Sequence, residues 1–227
     1  MKTSNKFTLA RVLFAPFFFL LYFVPIWTDC SCFAKISAYV MIPLLALAQV
    51  TDYFDGHYAR KNKQVSDFGK LFDPFADVML NLTLFVCAQH SFSSLNPQGY
   101  MPVILFLLIL YREFTMNFIR MVAVSNGTAI AARKGGKLKT VFYIASGFFY
   151  LVVESLLRLN FDLSSQIHLL HNIGLGMFIV CVLLSYVSFL DYIRSFRSVL
   201  KSKKYNGGAT FFLAIFFGRS FISKRCS

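Results

Sequence analysis

The chain of 227 residues owns ten carboxylates, and five of them (Asp52, Asp55, Asp67, Asp73 and Asp77) fall within the stretch DYFDGHYARKNKQVSDFGKLFDPFAD. Asp52 and Asp55 are spaced i,i+3, and Asp73 and Asp77 are spaced i,i+4. On a helix each pair projects from one face. A polar hinge with Gly56, Arg60 and Gly69 separates the pairs, and two helices joined this way can aim four carboxylates at one point. Converging anions repel in a low-dielectric setting, so such groups protonate or bind cations. A divalent metal site is the simplest answer, because hard cations such as Mg²⁺ take oxygen ligands and keep phosphate and water in their shell. A solvated, salt-bridged loop would account for one or two acids, but not for four at paired spacing in so acid-poor a chain.

The elements that must position these residues are apolar. Hydrophobic residues make up 57% of the chain and charged residues 15%, with a mean hydropathy of +0.60. Ordinary soluble domains are about 45–50% apolar and about 25% charged, so the composition argues against a soluble single domain. The net charge of +13 fits an anionic membrane surface rather than nucleic acid. Of the five cysteines, Cys87 and Cys181 lie inside apolar runs, and Cys30 and Cys32 have no nearby His or second Cys pair. Neither a disulfide framework nor a metal knuckle is indicated.

Six apolar runs, at about 7–27, 33–50, 71–88, 101–122, 138–158 and 167–193, each approach the length of about 20 residues that a bilayer requires. The first resembles a signal peptide but lacks a small-x-small cleavage site, so it reads as a retained helix. Pro74 suits the first turn of the third helix, and Gln89–Tyr100 reads as a turn-rich connector. All Lys and Arg except Lys35 and Arg158 fall on one side of a six-span arrangement. By the positive-inside rule, both termini and the acidic stretch face the cytoplasm. Residues 1–193 form the membrane domain, and 194–227 form a basic tail whose apolar core, Ala209–Phe217, is too short to span.

The order Asp52-x2-Asp55-Gly56-x2-Ala59-Arg60-x8-Gly69-x3-Asp73-x3-Asp77 resembles the signature of the CDP-alcohol phosphotransferases, with eight positions at fixed spacing. The resemblance implies two Mg²⁺ or Mn²⁺ ions that clamp a pyrophosphate, with Asp52, Asp55 and Asp73 as principal ligands. It implies that Asp77 is the general base and also touches a metal, and that Arg60 meets the nucleotide diphosphate. Gly56 and Gly69 permit close approach of phosphate at two helix ends. Ser66 matches a small hydroxyl position near the cytidylyl group. Asn5 and Thr8, in NKFTLAR, resemble a segment that also approaches the nucleotide, although a helix N-cap explains them equally well. Asp67 lies outside the signature and reads as a loop charge; His57 falls on a variable position and reads as a bystander.

A second group interrupts the apolar segment MPVILFLLILYREFTMNFIR. Ionisable residues at such depth are functional or paired, so Arg112 and Glu113 either bind something or fix helix packing as an internal ion pair. Farther on, GGKLKT sets Lys137, Lys139 and Thr140 at the start of the fifth helix. With Arg112 and Arg120 they can bind a phosphate on the acceptor, although clustered Lys also serves as a topology determinant. Within the family, the YREFTMNFIRMVA and GKLKT segments resemble the phosphatidylglycerophosphate-forming branch. Glu154 is either paired inside the bundle or near the far interface.

The expectation is therefore an all-α integral membrane protein, a six-transmembrane-helix bundle with a polar cavity facing the cytoplasm (at the inner membrane, if bacterial). The resemblance implies an enzyme that transfers the phosphatidyl group of CDP-diacylglycerol to sn-glycerol 3-phosphate and releases CMP. It further implies a homodimer among membrane lipid, with no nucleic-acid partner. The competing readings are another acceptor (serine, inositol phosphate or phosphatidylglycerol) and a cation transporter. The latter would spread acids across the depth of the membrane rather than gather them at one end.

Overall fold

The computed structural model describes residues 3–61, 67–125 and 134–202, and their side chains over 8–51, 72–124 and 136–194. The described residues are all-helical: α1 (Thr3–Thr28), α2 (Ser31–Lys61), α3 (Asp67–Cys87), α4 (Val103–Ser125), α5 (Lys134–Arg158) and α6 (Ile167–Ser202). Segments of α1, α2, α5 and α6 (Thr8–Thr28, Ser31–Thr51, Gly136–Arg158 and Ile167–Arg194) are long and apolar enough to cross a membrane. Pro16, Pro25 and Pro43 sit inside α1 and α2. Such prolines are tolerated in membrane helices because neighbouring groups take up the freed carbonyls.

Short connections turn the chain back on itself. Asp29, with φ 46°, ends α1, and Ser31 begins α2. At the end of α5 the Asn160 N–H donates to Leu157 O and the Phe161 N–H to Leu156 O. With Asn160 at φ 63°, these bonds make the left-handed helix cap that usually takes Gly. In the connection that follows, Asp162 accepts hydrogen bonds from the backbone and hydroxyl of Ser164, which hold its carboxyl below the ordinary carboxylate range.

α1 packs on α2 and α3, α5 on α2, α3 and α6, and α4 on α3 and α6. Aromatic side chains fill the centre: Tyr22, Phe85, Tyr143, Tyr150 and Phe178 are all buried, with Phe85 edge-on to both Tyr143 and Phe178. The hydroxyls of two of them find backbone acceptors, Tyr150 on Leu84 O at 2.8 Å and Tyr22 on His90 O at 2.6 Å. Large apolar side chains such as Leu13, Phe17, Tyr39, Ile104, Leu183 and Val187 cover the outside, as suits a bundle whose solvent is lipid.

Three helices run past the limits set by hydropathy. α2 continues from Val50 to Lys61, so Asp52, Asp55, Gly56 and Arg60 lie on one continuous helix, and residues 62–66 between the two Asp pairs lie outside the described residues. Asp67 is the first residue of α3 and not a loop charge, a position where the helix dipole favours an anion, and Gly69 follows in the same turn. α6 continues through Ser202, across the expected boundary at 193/194. A helix satisfies its own backbone, so it need not stop where the apolar run stops; hydropathy marks the lipid-matched part alone.

A buried polar network closes the end of the bundle where α1 meets α2. Glu154 and Arg158, one turn apart on α5, are ion-paired at 3.0 Å with both side chains fully buried. Glu154 also accepts from the Ser91 hydroxyl and the Phe92 N–H. Arg158 donates to Ser37 Oγ and Tyr22 O, and its guanidinium lies 4.4 Å from the Tyr22 ring centroid. Every charge here is matched, as a buried ion pair requires. Glu154 is therefore paired inside the bundle, and the pair lies toward the end opposite the acidic stretch.

Candidate active site

At the opposite end the helices splay around a cavity of about 610 Å³ to which all six contribute lining residues. Its walls carry two chemistries. On one side α3 presents Asp73 and Asp77, brought to one face by their i,i+4 spacing and turned toward α1. Thr8 donates to Asp73 Oδ1 at 2.6 Å, and Arg11 is ion-paired with Asp77. Arg11 and Thr8 are buried, whereas about half of the Asp77 side chain is open. Thr8 lies inside α1, which begins at Thr3. Its hydroxyl therefore serves the acidic face, and the N-cap explanation falls away for Thr8 and for Asn5 alike.

On the other side, α4 and α5 supply the cations. Arg112, Arg120, Lys137, Lys139 and Thr140 all line the same cavity as Asp73 and Asp77. Glu113 organises two of them. Its Oε1 accepts from Arg112 Nη1 at 2.8 Å, Lys139 Nζ at 2.6 Å and Tyr143 OH at 3.1 Å. The Arg112 Nε donates to Ser185 O of α6 at 3.0 Å, which fixes the guanidinium plane. The Lys139 ammonium lies 4.8 Å from the centroid of the Tyr143 ring. Two unit charges ~5 Å apart repel by about 3 kcal/mol at an effective dielectric of about 20, so the shared carboxylate is what lets them sit together. The internal Arg112–Glu113 pair thus exists, and it belongs to the cavity wall. Thr140 donates its hydroxyl to Gly136 O within its own helix. Lys137 is exposed at the rim.

Asp52, Asp55, Gly56 and Arg60 lie on the last part of α2 and Gly69 on the first turn of α3, all with side-chain positions outside the described residues. Asn5 is on α1 with its side chain likewise outside them, and Ser66 lies outside altogether. Among the described residues no three His, Cys, Asp or Glu side chains converge. The donor chemistry that is described still fits a hard divalent cation: two carboxylates, Asp73 and Asp77, share one cavity, and no thiol or imidazole is among its described lining residues.

Sequence reasoning missed several lining groups. Arg11 passed for a topology charge, although its i,i+3 spacing from Thr8 in NKFTLAR was a signal that both face one way. Tyr143, one turn after Lys139, was hidden by the aromatic richness of the chain. Asp191 and Tyr192 of α6 also line the cavity; neither stands in a motif.

Residues 1–183 match the family model described as CDP-alcohol phosphatidyltransferase, and the chain belongs to this family of membrane enzymes. The relatives narrow the likeness further. A Treponema pallidum (strain Nichols) protein is 35% identical over 205 residues, covering 88% of this chain and 92% of its own length. A Bacillus subtilis (strain 168) protein is 31% identical over 60% of this chain and 69% of its own length. A Sodalis glossinidius (strain morsitans) protein is 29% identical over 84% of this chain and 92% of its own. All three are named CDP-diacylglycerol–glycerol-3-phosphate 3-phosphatidyltransferase.

Proposed function

We propose that this chain transfers the phosphatidyl group of CDP-diacylglycerol to sn-glycerol 3-phosphate, giving phosphatidylglycerophosphate and CMP. The observation that carries this reading is the single cavity in which Asp73 and Asp77 of α3 face Arg112, Arg120, Lys137 and Lys139 of α4 and α5. Acids on one wall suit a cation-bound diphosphate, and bases on the other suit an acceptor that brings its own phosphate. The names of the relatives agree with it.

In this reading Asp77 takes the proton from the primary hydroxyl of the acceptor. The resulting oxygen forms a bond to the lipid-linked phosphorus while the bond from that phosphorus to CMP breaks. Arg112, Arg120, Lys137 and Lys139 hold the phosphate of the acceptor, with Thr140 at the same wall, so that the hydroxyl is presented to Asp77. Arg60, Gly56, Gly69, Ser66, Asn5 and Thr8 receive the cytidine diphosphate moiety. Asp52, Asp55, Asp73 and Asp77 would hold two Mg²⁺ or Mn²⁺ ions, whose chemistry there is to neutralise the pyrophosphate and the departing CMP. The acyl chains stay in the bilayer. We take all six helices as spans, with the cavity, both termini and the surplus of Lys and Arg on the cytoplasmic side, and the working unit as a homodimer.

The test is CMP release by purified protein in mixed micelles of CDP-diacylglycerol and Mg²⁺, with acceptors supplied one at a time. Release with glycerol 3-phosphate alone supports the reading. Release with serine, inositol phosphate or phosphatidylglycerol keeps the chemistry and replaces the acceptor. The absence of release with every acceptor, from folded protein, would overturn the reading and favour the transport alternative.

A further inference from the structure

Glu113 is an anion in the wall that is to receive an anion. Left to Coulomb's law alone it would repel the acceptor, so its place there calls for an explanation. It is 3% exposed, and one oxygen takes all three of its hydrogen bonds, from α4 (Arg112) and α5 (Lys139 and Tyr143). Those bonds spend one N–H of the Arg112 guanidinium and one of the Lys139 ammonium. Arg112 spends another on Ser185 O. Among the described residues its Nη2 and the other Lys139 N–H groups make no hydrogen bond, and both side chains line the cavity. The carboxylate therefore acts as a bracket: it holds cations from two helices side by side, orients their remaining donors, and cancels one positive charge of a wall that stays net positive through Arg112, Arg120, Lys137 and Lys139.

We propose that Glu113 is a positioning residue for the acceptor, setting the affinity of the cavity for a phosphate monoester by holding Arg112 and Lys139 as a preformed pair of donors. The proposal rests on the reading of the acceptor given above. Pairing by a fixed carboxylate removes the ordering cost that two long side chains otherwise incur when an anion binds. It also keeps both cations in place when the site is empty. The direct repulsion between Glu113 and the acceptor is the smaller effect, because the bound anion would face four cations against one carboxylate that is already paired with two of them.

The experiment compares Glu113→Gln, Glu113→Ala, Glu113→Asp and the milder Tyr143→Phe by steady-state CMP release, with KM measured separately for each substrate. Inhibition by inorganic phosphate is measured alongside. The expected result is a rise in the KM for glycerol 3-phosphate of about tenfold or more for Glu113→Ala, and a smaller rise for Glu113→Gln. Glu113→Asp should recover part of the loss, and the KM for CDP-diacylglycerol should stay within about twofold throughout. The inhibition constant for inorganic phosphate should rise in step with the acceptor KM. Tyr143→Phe, which removes one donor and no charge, should move the same quantities by a few-fold and reports even if the Glu113 variants do not fold. An unchanged or lowered acceptor KM would overturn the proposal, as would an equal loss against both substrates, which marks a purely structural role. If wild-type protein uses a different acceptor, the acceptor reading fails first. Weakened phosphate inhibition in the variants would then still identify Glu113 as the bracket of an anion site.

Discussion

At the residue scale, the four motif aspartates divide into those whose surroundings are described and those placed by spacing alone. Asp73 and Asp77 line the cavity, each already engaged by a side chain of α1. The role assigned to Asp77 predicts that Asp77→Asn, which keeps the shape and removes the base, lowers the rate of CMP release by about a hundredfold or more, while the protein elutes from size exclusion as the wild type does. A chelator should abolish release, and added Mg²⁺ should restore it. Persistence of activity through exhaustive chelation would contradict the metal assignment. The acids were legible because the ten carboxylates of the chain are so unevenly distributed. Arg11 was not, because a cation near the amino end of a membrane chain already has a topological explanation, and a sequence does not show which charges are buried.

At the element scale, the helices among the described residues were legible because long apolar runs mark them: the six runs fall on the six described helices, of which four are long and apolar enough to cross a membrane. Their ends were not, since α2 and α6 extend into polar sequence that hydropathy ignores. The connector between α3 and α4 was read as turns, and Gly99 shows why it must be. Its φ is +65°, and a Cβ there would lie 2.4 Å from the Gln89 carbonyl carbon and 2.6 Å from Ala88 O. Those neighbours are backbone and cannot swing aside. Gly99→Ala should therefore lower the thermal midpoint in detergent by several degrees, whereas Gly176→Ala, where nothing lies within 4 Å, should leave it unchanged or raised. For the Glu154–Arg158 pair, Arg158→Met strands a buried carboxylate and should cost about 3–5 kcal/mol. The double change Glu154→Gln with Arg158→Met should cost less than the single one, measured by denaturant unfolding in micelles. Equal losses would mean that the pair contributes packing and not charge balance.

At the scale of the whole molecule, the chain's own cysteines test the proposed orientation. Cys30, in the connection between α1 and α2, is partly exposed and Cys32, in the first turn of α2, is exposed, both at the end away from the cavity, whereas Cys87 and Cys181 are buried. In sealed right-side-out vesicles a membrane-impermeant thiol reagent should modify Cys30 and Cys32 and spare Cys87, Cys181 and Cys226. Inverted vesicles should reverse the result for Cys226. Labelling of Cys32 from the inverted side alone would turn the proposed arrangement over and place the cavity outside the cell.

The charge pair buried at the far end also bears on how the protein is made. Glu154 and Arg158 are one turn apart on the same helix, so they can enter the bilayer already neutralised by each other rather than as two separate charges. Their remaining partners are Tyr22 and Ser37 on the first two helices and Ser91 and Phe92 in the connector after the third. All of these leave the ribosome before α5 does. The socket is thus synthesised before the plug. The order of translation thus allows the fifth helix to dock into a receptor that earlier parts of the chain can already supply.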